Sequence, residues 1–95
     1  MEYIIFIHNN TETPPSMAEW DSFFDRAKKS GLFRGGSAIG KRVTIGRKIV
    51  QEVIGQPGGY MRFDAESIED LRQLLQEHPV VVHGGTIEIC ELPRT

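Results

Sequence analysis

Tyr3-Ile4-Ile5-Phe6-Ile7 is an unbroken apolar run, rich in β-branched and aromatic side chains. No other stretch of the chain restricts the fold as much. It reads as a strand over Glu2 to His8, and a strand apolar on both faces has to be covered on both sides. Helices of the same chain can supply one cover. The whole chain has 95 residues and supports one hydrophobic core, so it reads as a single domain over residues 1–95.

The helices are legible from their ends. Ser16 stands three residues before Glu19, the capping-box spacing in which each side chain satisfies a free N–H of the first turn. Trp20, Phe23, Phe24 and Ala27 then share a face, read as core. Lys28 and Lys29 suit the C-terminal dipole, and Gly31 offers the left-handed stop. A second helix begins near Ser67 and carries Ile68, Leu71, Leu74 and Leu75 as its stripe. Pro79 is expected to stop it after His78. Further strands are expected over Gly59 to Asp64 and Thr86 to Leu92, with shorter pieces near Ser37–Ile39, Arg42–Ile45 and Ile49–Ile54.

That order is the split pattern of an α+β, ferredoxin-like βαββαβ fold, an antiparallel sheet with two helices on one face. Its bare face holds part of the Tyr3–Ile7 run, an apolar patch that monomers rarely leave in water. Two such sheets pressed together bury it. A twofold homodimer is therefore expected.

The segments "GGYMRFDAESIEDLRQLLQEHP" and "GGTIEICEL" resemble the YCII-related proteins, including the branch named after a DGPF motif. The resemblance covers the second half of the chain. It implies a dimeric ferredoxin-like fold, a dimeric α/β barrel. One branch of that family removes chloride from a chlorinated hydroxyquinol, and a His–Asp pair is proposed as catalytic in some members. This chain departs twice: it has "GQPGGY" and no Asp-Gly-Pro-Phe, and its first helix has no histidine.

Charge is segregated. Eight of the eleven basic residues lie between Arg26 and Gln51, with no acidic residue among them. This suits an anionic ligand drawn to a cavity mouth, an acidic partner surface, or a second copy of the same chain. Nucleic acid is a poor fit, because the chain is acidic overall and only Phe33 is available there for stacking. "GGSAIGKR" mimics a phosphate-binding loop, but Arg42 replaces the hydroxyl residue and a strand-like "VTI" follows. A lone cysteine, Cys90, and scattered histidines give no metal signature, and no cofactor is expected. The opening "MEYIIFIHNN" has no basic lead, and no apolar run is long enough for a membrane span, so a cytoplasmic location is expected.

The strand Tyr60 to Asp64 alternates Met61 and Phe63 with Tyr60, Arg62 and Asp64. With the first and third strands read as parallel neighbours, His8 and Asp64 meet at one end of the bare face. His8 would be a general base and Asp64 the carboxylate that orients it. Arg62 and Tyr60, behind them in the same row, would contact substrate. His83, beside Gly84-Gly85, is a further substrate contact. Structural roles compete with each of these: Asp64 can cap the second helix, Arg62 can pair with Glu88, and His8 can be plain surface. His78 is explained by a helix C-terminus, whose dipole stabilises an imidazolium, and Cys90 by small-residue packing. The function expected is binding of a small anionic or phenolic molecule, with cofactor-independent elimination or isomerisation as its chemistry. The alternative is a non-catalytic ligand-binding or dimerisation module.

Overall fold

The apolar run lies in the middle of a four-stranded sheet in a computed structural model that describes residues 1–47 and 56–94. β1 (Glu2–His8) is flanked by β3 (Pro57–Asp64) and β4 (Ile87–Leu92), and β2 (Phe33–Ala38) extends the sheet beyond β3. The order is β2-β3-β1-β4 and every pairing is antiparallel. Among the described residues three helices, α1 (Met17–Ser30), α2 (Ile68–Leu75) and α3 (Pro79–Val82), complete a ferredoxin-like α+β fold. Among the described residues no helix is long and apolar enough to cross a membrane.

Alternation along β1 sorts its side chains. Tyr3, Ile5 and Ile7 are buried in the core with Met61 and Phe63 of β3. Phe23 and Ala27 of α1, Leu71 and Leu75 of α2, and Val80 of α3 close over them. Ile4 and Phe6, on the other face, stay partly exposed. α1 starts and stops where its local chemistry dictates. Ser16 and Glu19 form the reciprocal capping box, and Gly31 closes the helix at φ 78°.

The chain departs from three expectations. β1 and β3 are neighbours but antiparallel, with Glu2 opposite Asp64 and His8 opposite Pro57. The crossover through α1 returns β2 parallel to β1 with a gap between them. β3 fills that gap running against both. Secondly, Pro79 does not end the second helix. α2 ends at Leu75, and Pro79 is the first residue of α3, where its fixed φ and missing N–H fit the first turn. Thirdly, β2 begins earlier than expected, at Phe33, with a bulge between Phe33 and Gly35. Arg42–Ile45 is not a strand. The piece expected near Ile49–Ile54 lies outside the described residues.

Candidate functional site

A cavity of about 290 Å³ lies between α1 and the strands β2 and β3. Trp20 and Phe24, one helical turn apart, form its roof, with their rings stacked 5.9 Å apart. Ile7, Met61 and Val80 supply apolar wall. The floor is made by glycines. Gly36 packs so closely on β3 that a Cβ there would lie 2.9 Å from the Met61 Cα, and at Gly58 the Asn9 amide occupies the place of a side chain. Gly36 to Ala38 of β2 and Gly58 to Met61 of β3 thus line the cavity beneath the aromatic face of α1. Trp20 and Phe24, expected as core, border this cavity and are only partly buried; Phe23 is fully core. The Asn9 side chain has no hydrogen-bond partner among the described residues and lies on the cavity wall.

The expected His8–Asp64 pair does not form. Their strands run in opposite directions, so six residue steps separate them, about 20 Å along the sheet. His8 is buried and meets a different carboxylate: its Nε2 is 2.5 Å from Glu88 Oε1, across the open face on β4. Its Nδ1 is buried without a partner among the described residues. Asp64 lies 3.6 Å from the amino group of Met1, and the helix after it is capped by Ser67 instead. Arg62 donates to Glu2 at 3.1 Å rather than to Glu88. Tyr60 sits opposite Phe6 and Ser37. Tyr60, Arg62 and Asp64 thus share a face with His8, but the structure does not bring them to one point.

His83 and His78 are both tied to protein. His83 bridges Thr13 Oγ1 through Nδ1 and Glu19 Oε2 through Nε2, each at 2.6 Å. Glu19 is held below the ordinary carboxylate range, chiefly by the Ser16 backbone N–H and next by His83. His78 is not at a helix C-terminus. It is the N-cap of α3, fully buried, and its Nδ1 accepts the Val80 N–H at 3.1 Å. Trp20 and Phe23 pack edge-on against the ring, with centroids 5.1 and 4.8 Å away. Burial pushes its pKa down to about 4, so it is neutral at physiological pH. The residues missed from sequence are Glu88, Thr13 and Glu19 as histidine partners, and Asn9 and Trp20 as cavity wall. The one local signal for the cavity was the cluster of glycines opposite an aromatic helix.

No protein-family model matches the chain, and no curated protein sequence matches it. Among solved structures it is similar to 5-chloro-2-hydroxyhydroquinone dehydrochlorinase (TftG) from Burkholderia phenoliruptrix, a complex with 2,5-dihydroxybenzoquinone. The identity is 11%, the TM-score 0.49, and the match covers 100% of this chain and 96% of that one. At that level of similarity no chemistry transfers from one protein to the other.

Proposed function

We propose that this chain is a YCII-related protein that binds a small phenolic or anionic one-ring molecule in the cavity beneath Trp20 and Phe24. The observation that carries the reading is the cavity itself. Its volume of about 290 Å³ is at the small end for ligand sites, which suits a single ring. Its walls are flat aromatic and aliphatic surface, which suits stacking. Asn9 supplies an uncommitted amide to orient a hydroxyl or carboxylate. Arg42 bonds Gln56 and the Pro57 carbonyl, immediately before the glycine floor, and so adds positive charge near the rim. The order of motifs over Gly58–Pro79 and Gly84–Leu92 supports the family reading.

A second reading concerns the open sheet face and rests on the His8–Glu88 contact. A carboxylate 2.5 Å from Nε2 is the pairing that orients a histidine for general acid–base work, with Tyr60 and Arg62 on the same face as substrate contacts. In this reading two copies pair through that face in the cytoplasm, which covers Ile4 and Phe6 and encloses the row. Without turnover, the same arrangement is a binding or dimerisation module.

The cavity reading is tested by titrating single-ring phenols and phenolic carboxylates while following tryptophan emission, since Trp20 is the one tryptophan in the chain. Saturable quenching is expected. Asn9→Ala should weaken binding about tenfold, the loss of roughly one hydrogen bond. Emission unmoved by every ring, with calorimetry equally silent, would end the proposal.

A further inference from the structure

Thr13, His83 and Glu19 form a relay apart from the cavity. Glu19 is fixed at both oxygens: Oε1 accepts the Ser16 backbone N–H at 2.9 Å, and Oε2 faces His83 Nε2. An ionised carboxylate can only accept, so Nε2 carries the imidazole proton. In the neutral ring Nδ1 then holds the lone pair, and the Thr13 hydroxyl 2.6 Å away donates to it. A hydroxyl aimed at a base, and a base oriented by a carboxylate, are the three parts of an activated nucleophile. Thr13 is solvent-exposed, whereas the His83 side chain is only 19% exposed. The Thr13 backbone N–H has no partner among the described residues and is free to receive a developing oxyanion. Glu19 also lines an open groove of about 300 Å³ with Ala18, Pro79 and Val82.

We propose that Thr13 is the nucleophile of an acyl-transfer site for small activated esters. Thr13 Oγ1 attacks the ester carbonyl carbon while its proton passes to His83 Nδ1. The Glu19 carboxylate stabilises the resulting imidazolium. The tetrahedral intermediate collapses, the carbon–oxygen bond to the leaving group breaks, and the departing alcohol takes the proton from Nδ1. Water then adds to the acyl-threonine, giving a proton to Nδ1. Collapse of that second intermediate releases the carboxylic acid and restores the hydroxyl. No oxidant or reductant is needed.

The test is p-nitrophenyl acetate with the whole chain, reading p-nitrophenolate release and locating acetyl groups by peptide mass spectrometry. The wild type should show a burst and an acetyl group on Thr13. Thr13→Val, an exposed and near-isosteric change, should lose both while keeping the far-UV circular dichroism of the fold. Thr13→Ser should retain both. His83→Gln should slow acylation by about 10²-fold, the scale of a lost general base. Release that persists in Thr13→Val, or acetyl found on histidine or lysine and never on Thr13, overturns the proposal.

Discussion

His78 is fully buried and neutral, and this makes the protein sensitive to mild acid in a calculable way. Its pKa is about 4 in the folded chain against an ordinary 6.5. Between those values the unfolded chain binds a proton that the folded chain does not. Stability therefore rises with pH across this window, and acid removes it. Above pH 6.5 the contribution is flat. As the pH falls the loss grows to about 2 kcal/mol at pH 5 and about 3 kcal/mol at pH 4, and levels at about 3.5 kcal/mol below that, taking about 1.4 kcal/mol per pKa unit. Against a typical total of about 5–15 kcal/mol that is a large share.

The cause is local and can be isolated. The ring lies between Trp20 and Phe23, neither of which can compensate a full charge, and Nδ1 is occupied by the Val80 N–H. His78→Asn keeps an N-cap acceptor for that N–H but cannot titrate. Urea unfolding of both proteins, followed by circular dichroism at pH 7.5, 6 and 5, separates this histidine from every other titrating group, because all the others are common to both. The stability of wild type relative to His78→Asn should drop by about 2 kcal/mol between pH 7.5 and pH 5. Parallel curves would mean that His78 keeps a near-ordinary pKa, and the assignment of burial as its dominant influence would fail.

Two further outcomes are expected. Gly36→Ala should destabilise the fold by about 2 kcal/mol in urea unfolding, because its Cβ meets the Met61 Cα and not a movable side-chain end. Gly40→Ala, where nothing lies within 4 Å, should be nearly neutral, and equal effects at the two sites would refute the close approach of β2 to β3. Phe6→Glu places a charge on the open sheet face without entering the core under the helices. Light scattering should then show a wild-type dimer and a folded Phe6→Glu monomer; a wild type that is monomeric at every concentration removes the sheet-to-sheet pairing.

What the sequence made legible was whatever is decided within a few residues. Ser16, Glu19 and Gly31 bound α1 through contacts three or four positions apart, so the capping box and the left-handed stop were readable directly. The apolar run of β1 was readable as a strand from composition alone; the helices cover one of its faces, while Ile4 and Phe6 on the other stay partly exposed. The direction of β3 was not readable from its own residues. It follows from a crossover and a return over residues far apart, and the wrong direction joined His8 to Asp64. His78 was misread for a subtler reason: "HP" can end one helix or begin another. The three valines after Pro79, one of them in the core, favoured a beginning. The carboxylates that the histidines use lie 80 residues from His8 and 64 from His83, beyond any local pattern.

The antiparallel direction of β1 and β3 also explains why polar groups on one sheet face behave differently at its two ends. At the start of β1 they neutralise one another, Arg62 with Glu2 and Asp64 with the Met1 amino group. At the far end they are handed to the loop after His8. Asn9 enters the cavity wall, Asn10 exchanges hydrogen bonds with Thr86, and the Glu12 N–H reaches the His83 carbonyl. Thr13 completes the relay. One polar loop therefore feeds the cavity, borders the His8–Glu88 pair and carries the proposed nucleophile. Beside it lies Gly84, at φ 82°, where a Cβ would lie 2.9 Å from the Glu12 side chain. The end of the Glu12 side chain can swing aside, so a substitution there is opposed chiefly by the strain of its own left-handed backbone.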